Sequence, residues 1–427
     1  MPPSKSPKTP PSPSQDSAMS FGDIMSLEQV SKSSVLIAGA GIGGLAMALS
    51  LLRRGIDCDV FEQASELREV GAGLWISMNG VRVLRDLGLT EQVEQNCIAA
   101  ERRSIRLWNT GDRWPLYNRS SDAARNQPYL LLRAHLLKIL VDGVRELKPG
   151  AIHLSAHVVG FSQDDEGVRA KLADGSEVEG RALIGADGAH SKVRLGLIGN
   201  IESQYTKAIA WRGLVPVDRL APHQREPEVA TWIGPTAHVT AYPVRWQNTV
   251  MMTFSGQVDH DDWLLESWSE KGSVEECLKD FEGWDPDIIQ LVKNVDTLNK
   301  WGLFVRPSLG TWSKGCVTLL GDACHSMLPY LGQGVNMALE DASVLARCFE
   351  EKPDDIAAVF KTYQGLRLDR TTKVAKSAAG MLPIFHNQAL CKPETAGDYI
   401  KTQWAPDATA ARYDWIYQYD AATAPLH

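Results

Sequence analysis

The sequence predicts an α/β fold, on three observations. A β-branched-rich apolar run, Val35-Leu36-Ile37-Ala38, meets the cluster Gly39-Ala40-Gly41-Ile42-Gly43-Gly44 and passes into Leu45-Ala46-Met47-Ala48-Leu49, which has helical character ending at Gly55. A second strand, Cys58-Asp59-Val60-Phe61, ends at Glu62, about twenty residues beyond the glycines. Two later apolar strands, Ala182 to Ala186 and Val317 to Leu320, each lead into an aspartate, Asp187 and Asp322.

Strand, glycine turn, helix and trailing acid make a Rossmann-like unit, and each residue has a physical use. Gly39 permits the tight turn, Gly41 lets the backbone approach a pyrophosphate, and Gly44 lets the helix pack close to the strand. Gly43 belongs to the same turn, and the helix start supplies amide donors to phosphate. Glu62 stands where a carboxylate accepts from a ribose. A dinucleotide is the implied ligand, and this unit alone does not choose between FAD and NAD.

Composition bounds the rest. With 427 residues and 44% apolar content, the chain has material for one large or two interleaved domains. The net charge of −8 is spread along the sequence without a Lys or Arg run, which argues against a nucleic-acid partner. Seven widely spaced cysteines form no C-x-x-C pair, which points to a reducing, cytoplasmic setting without disulfides or zinc. His153 and His157 are four apart, but Ala151 to Val159 alternates like a strand, so no metal is expected there. The first twenty residues hold six Pro and six Ser and read as part of a disordered tail over 1–30. Val35 to Leu52 is uncharged, but its four glycines cluster at a strand–helix junction, so no membrane span is expected.

The two aspartate stretches decide for flavin. Asp187-Gly188-Ala189-His190-Ser191-Lys192-Val193-Arg194 follows one strand and Gly321-Asp322-Ala323-Cys324-His325-Ser326-Met327-Leu328-Pro329 the other. The Asp322 carboxylate is suited to accept from the ribityl hydroxyls of FAD, a sugar alcohol that nicotinamide cofactors lack. Next come Tyr330-Leu331-Gly332-Gln333-Gly334-Val335-Asn336 and a helical run from Met337 to about Phe349. Backbone amides and a positive helix end there would stabilise an anionic reduced flavin.

With the glycine turn, the DG stretch and the GD stretch in this order, the chain resembles the class A FAD-dependent aromatic hydroxylases. The resemblance implies the para-hydroxybenzoate hydroxylase fold over most of residues 33–390: a Rossmann-like FAD-binding domain interleaved with a β-sheet substrate domain. The corresponding boundaries are 31–200 for the first part of the FAD domain, with inserted strands near 100–118, 201–304 for the substrate sheet, 305–385 for the second FAD part and 386–427 for a C-terminal extension. It implies tightly bound FAD, with NADH or NADPH as co-substrate and O2 as oxidant. It further implies cofactor contacts at Gly73, Arg133, Asp187, Gly188, Gly332, Gln333, Gly334, Val335 and Asn336. Arg133 opens an amphipathic helix bearing Leu136, Leu137, Leu140, Val144 and Leu147 on one side.

On the substrate side, Trp211-Arg212-Gly213, His238-Val239-Thr240-Ala241-Tyr242-Pro243 and Trp301-Gly302-Leu303 put large or polar groups on strands. His238, Thr240 and Tyr242 share one strand face. If that face looks at the flavin, His238 and Tyr242 can bond a substrate hydroxyl or relay its proton, and Arg212 can hold an anion. Pro329 would shape the oxygen pocket.

The turn Gly71-Ala72-Gly73-Leu74-Trp75-Ile76-Ser77-Met78-Asn79-Gly80 departs from the family's "GAG…PNA" form at Met78 and Gly80, and Trp75 suggests a bulky wall. The tail Tyr413-Asp414-Trp415-Ile416-Tyr417-Gln418-Tyr419 is similar to that of the salicylate hydroxylase and 6-hydroxynicotinate 3-monooxygenase branch, and is expected to lie outside the chemistry. The implied activity is hydroxylation of a small phenolic or carboxylated aromatic through a flavin hydroperoxide, by a monomer or homodimer. Hydroxylative dearomatisation, a flavin oxidase or dehydrogenase, and a flavin-holding pseudoenzyme stay open as alternatives.

Overall fold

The computed structural model describes residues 30–67, 72–118, 128–263 and 270–427. The tail expectation for 1–30 falls almost wholly outside them, as does Gly71.

Two sheets organise the molecule. The first has six strands in the order Ser313–Lys314, Val317–Leu319, Ala182–Gly185, Val35–Ala38, Cys58–Phe61 and Ile152–His153. Val35 lies opposite both Ala182 and Cys58, and Leu183 opposite Val317, all in parallel register. The carboxyl ends of three neighbouring strands therefore meet at one edge, bringing the glycine turn, the DG stretch and the GD stretch together. This is the crevice where open parallel sheets bind ligands. The strands are buried on both faces, so they read as continuous apolar runs.

Helix Ile42–Leu52 packs beneath this edge against helix Gly334–Glu351. The expected strand over Ala151 to Val159 is instead two, Ile152–His153 and Val158–Asp164, broken at Ser155 with a φ of 54°. His153 is accounted for structurally: its ring stacks on Phe61 and its Nε2 lies 3.0 Å from Asp59.

The second sheet has nine strands, mostly antiparallel, and combines Arg102–Leu107 and Arg113–Asn118 with strands between Gln204 and Val305. Its two faces differ sharply. Trp211, Val239, Phe254 and Val258 point to a core closed by helices Val274–Asp280 and Pro286–Lys293, through Cys277, Phe281, Ile288 and Leu291. The opposite face carries a cross-strand row, Arg212 to Ser255 to Thr240 to Thr231, fixed by the register of four neighbouring strands. Thr231, Thr253, Ser255, Gln257 and His238 on this face are all buried. Several of these buried polar groups are paired within the sheet, Thr231 with Thr240, Gln257 with Ser255 and Thr253 with the Tyr242 backbone.

The seven cysteines are unpaired. Among the described residues no helix is long and apolar enough to cross a membrane.

Candidate active site

The glycine turn is built for an anion. Helix Ile42–Leu52 starts after Gly41 without a side-chain cap and without an acid in its first turn, so its amides face outward unsatisfied. Gly39 has a φ of 101°, and a Cβ there would stand 2.6 Å from the Ala186 carbonyl oxygen. A Cβ on Gly44 would come within 2.0 Å of the Gly39 oxygen, whereas one on Gly41 would meet nothing within 4 Å. Two glycines are thus required by the protein itself, while Gly41 faces open space in which a pyrophosphate fits. The Glu62 carboxylate accepts from the amides of Ala40 at 2.8 Å and Ala64 at 2.9 Å, which holds it at the lip of the turn.

In the DG stretch Asp187 is committed locally. It accepts from the Ser191 hydroxyl and the amides of Lys192 and Val193 at 2.5, 2.7 and 3.1 Å, capping helix Lys192–Ile198. Gly188 beside it has a φ of 74°. Buried Arg194 donates to the carbonyls of Ala189 and Ala323 at 2.6 and 2.9 Å, stitching the DG stretch to the GD stretch. Asp322 is exposed, in a cleft it lines with Arg194, Arg306, Trp312 and His325, so its carboxylate remains available to a ligand.

Behind the GD stretch lies a buried charge node. His325 Nε2 is 2.5 Å from Asp341, which also accepts from the Gly321 amide and, at 2.7 Å, from Arg367. Burial works against the Asp341 carboxylate, but the charges of His325 and Arg367 outweigh it and pull its pKa down to about 2. Burial likewise opposes the His325 cation, and the Asp341 charge reverses that, raising its pKa well above the ordinary value.

The loop at 332–336 is oriented by a polar network that sequence reasoning missed. Gln333 donates to Ser77 Oγ at 2.9 Å and accepts from Asn79 at 3.1 Å; Asn79 also donates to Glu340 at 2.6 Å. Asn336 donates to the carbonyls of Trp75 and Gly332 and accepts from the Ser77 amide. The side chains of Gln333 and Asn336 are therefore engaged within the protein. What the loop presents outward is backbone: the first amides of helix Gly334–Glu351, again without a side-chain cap. A Cβ on Gly80 would lie 2.2 Å from Asn336 Oδ1, a physical reason for glycine at a position where the motif otherwise carries alanine. No local signal marks this network, because Ser77 and Asn79 find their partners more than 250 residues along the chain.

Arg133 opens helix Arg133–Leu147, its amide bonded to the Ala72 carbonyl at 2.9 Å. Gly73 follows on strand Gly73–Ile76, where a Cβ would collide with Tyr242 and Thr253; its missing side chain makes room for Tyr242.

On the substrate side Arg212, His238 and Tyr242 converge electrostatically. Burial lowers the pKa of His238 well below the ordinary imidazole value, with His386 and Arg212 adding to the effect. Burial also pushes the Tyr242 phenol up to about 12, only partly offset by Arg212. At neutral pH Tyr242 is therefore a protonated donor and His238 a neutral imidazole. Tyr242 lies just beyond strand Ala237–Ala241, in the break before Pro243–Trp246, so it leaves the regular face that His238 and Thr240 share. Half-buried Arg212 stands 6.0 Å from the Trp301 ring and makes no ion pair with any described carboxylate. Pro329 begins the turn Pro329–Leu331, which sets the Tyr330 ring edge-on to His238 at 5.4 Å.

The C-terminal segment packs close to these residues: Arg103 is held between the rings of Trp75 at 5.4 Å and Tyr413 at 5.0 Å. Phe385 and His386 pack on His238, with centroids 4.6 and 5.0 Å away. Strand faces are readable from alternation, but a wall supplied from 150 residues away has no local signature.

Known proteins resemble this chain over most of its length. The chain matches the FAD binding domain family over residues 32–378. It is 35% identical to 3-amino-4-hydroxybenzoate 2-monooxygenase of Streptomyces platensis, over 91% of this chain and 96% of that protein. It is 32% identical to 3-hydroxybenzoate 6-hydroxylase of Polaromonas naphthalenivorans, over 90% and 95% of the two chains. Among solved structures, Klebsiella pneumoniae HpxO complexed with FAD and uric acid superposes with a TM-score of 0.77 at 26% identity, covering 92% of this chain and 98% of that one.

Proposed function

From the premise that this chain belongs to the FAD-binding-domain family and is a flavoprotein monooxygenase acting on an aromatic ring, we propose that its substrate is a small hydroxylated aromatic bearing a carboxylate. The reductant in this reading is NADH or NADPH. One observation carries the choice of substrate: Arg212 is a half-buried cation on the polar face of the sheet with no carboxylate partner among the described residues. A desolvated guanidinium needs an anion, and a substrate carboxylate supplies one in bidentate geometry. The substrates named for the relatives, 3-amino-4-hydroxybenzoate and 3-hydroxybenzoate, have this chemistry.

FAD fits the open space at Gly41 and the outward amides of the two uncapped helix starts. In this reading Gly39, Gly41, Gly43 and Gly44 receive its pyrophosphate, Glu62 its ribose and Asp322 its ribityl chain, with Arg133 beside it. Asp187, Gly188 and Gly73 shape the backbone around it, and the amides of Gly332, Gln333, Gly334, Val335 and Asn336 face its pyrimidine side. When bound, the cofactor supplies the activation of O2 that inserts one oxygen atom.

The protein's own part is positioning and proton handling. Arg212 orients the ring through its carboxylate. Tyr242 donates a hydrogen bond and stabilises negative charge on the substrate oxygen, while His238 accepts the hydroxyl proton, making the ring more electron-rich toward oxygen. Pro329, Tyr330, Phe385 and Trp75 restrict water.

The test is NAD(P)H oxidation by the purified yellow protein, with hydroxylated product and peroxide quantified. The probes are 3-amino-4-hydroxybenzoate, 3-hydroxybenzoate, 6-hydroxynicotinate and salicylate. Coupled product from a carboxylated substrate, with KM raised at least about 10-fold by Arg212→Met, is expected. Equal kcat/KM for a phenol lacking the carboxylate would overturn the assignment of Arg212.

A further inference from the structure

A chain of three side chains leads from the polar face of the sheet to the surface. His238 Nδ1 is 2.7 Å from His386 Nε2, and His386 Nδ1 is 2.7 Å from Asp259 Oδ1. His238 and the His386 side chain are buried, whereas the Asp259 side chain is 45% exposed. The middle link is anchored by the backbone. His386 pairs with Gly234 in an isolated bridge just before strand Ala237–Ala241, and the Asn387 amide donates to the Gly234 carbonyl at 3.2 Å. Phe385 and Tyr330 close the His238 ring from two sides.

The hydrogen bonds dictate tautomers. An ionised Asp259 only accepts, so His386 donates through Nδ1–H and, when neutral, keeps a lone pair on Nε2. That lone pair takes Nδ1–H of His238, which leaves His238 Nε2 as a lone pair; this nitrogen has no hydrogen bond to a described residue.

We propose that His386 is a positioning and relay residue: it fixes His238 in the tautomer that presents Nε2 as a base to the substrate hydroxyl, and it passes the proton on to Asp259 at the surface. The proposal rests on the reading that His238 faces a hydroxylated aromatic. The step balances. The substrate O–H bond breaks toward His238 Nε2, His238 Nδ1–H moves to His386 Nε2, and His386 Nδ1–H moves to the Asp259 carboxylate. The substrate is left as phenolate, and each imidazole ends neutral with its tautomer reversed. Such a device answers the problem set by burial: His238 is a poor place to store a proton, so a base there works by handing the charge onward. Asp259 then releases the proton to water.

The experiment uses the full-length FAD-loaded enzyme, ¹⁵N-labelled at histidine, with His238→Gln and His386→Phe variants to assign the rings. Both imidazoles are expected neutral and protonated on Nδ1, and His386→Phe should abolish the Nδ1–H signature of His238. A His238 ring protonated on Nε2 would overturn the proposal. So would an imidazolium at His386, which would reverse the donor direction. In turnover, His386→Ala should lower kcat about 100-fold, the low end for one proton-transfer group, with KM little changed, and added imidazole should recover much of it. A loss that imidazole does not touch would mark His386 as packing only. Failure of every hydroxyaromatic to be turned over would fall on the substrate reading, because the ring protonation states decide the relay without turnover.

Discussion

Two glycines three residues apart in the same turn should respond to alanine in opposite ways, and the difference tests the assignment of the cofactor crevice. Gly44 lies inside helix Ile42–Leu52, where Gly→Ala ordinarily gains about 1 kcal/mol from helix propensity. Here the new Cβ would stand 2.0 Å from the Gly39 carbonyl oxygen, a backbone atom with no freedom to move aside. Relieving that contact means shifting the helix by roughly 1 Å off its strand, and overpacking of this kind costs about 1–3 kcal/mol. The clash exceeds the propensity gain, so Gly44→Ala should destabilise the apoprotein and weaken FAD together. Gly41 is extended, with φ −71° and ψ 178°, and its Cβ would meet nothing within 4 Å. Gly41→Ala should therefore leave urea unfolding of the apoprotein unchanged within about 0.5 kcal/mol, the range of neutral substitutions. Its Cβ would still occupy the space read as the pyrophosphate site. FAD Kd, followed by quenching of flavin fluorescence, should rise by about 100-fold, equivalent to about 2.8 kcal/mol. If Gly41→Ala binds FAD as tightly as the parent, the crevice does not take the pyrophosphate at this turn and the cofactor assignment fails there.

Three further outcomes follow from the buried charges and the phenol. Arg367→Met would strip the only described arginine from Asp341 and one of two from Glu340, both fully buried; breaking such pairs costs about 3–5 kcal/mol, read as a fall in the urea midpoint. Asp341, held at about 2 in the fold, adds stability present above its unfolded pKa and lost as pH falls through about 2. His325, raised, adds stability present below its unfolded value and lost as pH climbs through its raised pKa. Unfolding free energies of Asp341→Asn across pH 2–9 should thus lie below the parent with flatter acid and alkaline limbs, and parallel curves would contradict the pairing. Tyr242→Phe should lower kcat without moving either limb of the pH–rate profile between pH 6 and 9, since the phenol stays protonated up to about 12; disappearance of a limb would mean Tyr242 ionises in turnover.

The cofactor side was legible because its chemistry is local. Strand, turn and helix around Gly39 to Gly44 lie within twenty residues, and the DG and GD stretches each carry their aspartate directly after an apolar strand. Arg212 and His238 were reachable by strand alternation. The same signal is present in strand Thr249–Asp259, where Thr253, Ser255, Gln257 and Asp259 alternate with Met252, Phe254 and Val258. His386, Asn79 and Arg367 had no such route. Each acquires its role from a partner more than twenty residues away, so only register and packing reveal it.

The two sides of the site are held by different physics, and the difference suits what each must do. The loop at 332–336 is fixed through Asn79 to Glu340, whose carboxylate also binds Arg367 and Arg370. Arg370 in turn donates to the carbonyls of Trp415 and Ile416 and lies 4.0 Å from the Tyr419 ring, while Arg82 holds the carbonyls of Tyr417 and Tyr419. The seated tail, the charge node and the loop amides are thus joined in one network of ion pairs and hydrogen bonds. Across from it the sheet offers hydroxyls, an amide, a neutral imidazole and a phenol, with Arg212 as the fixed charge. Groups that stay uncharged can accept a transient phenolate without repelling it and without first giving up an ion pair of their own. A carboxylate placed among them would defeat the device: it would neutralise Arg212 and oppose loss of the substrate proton.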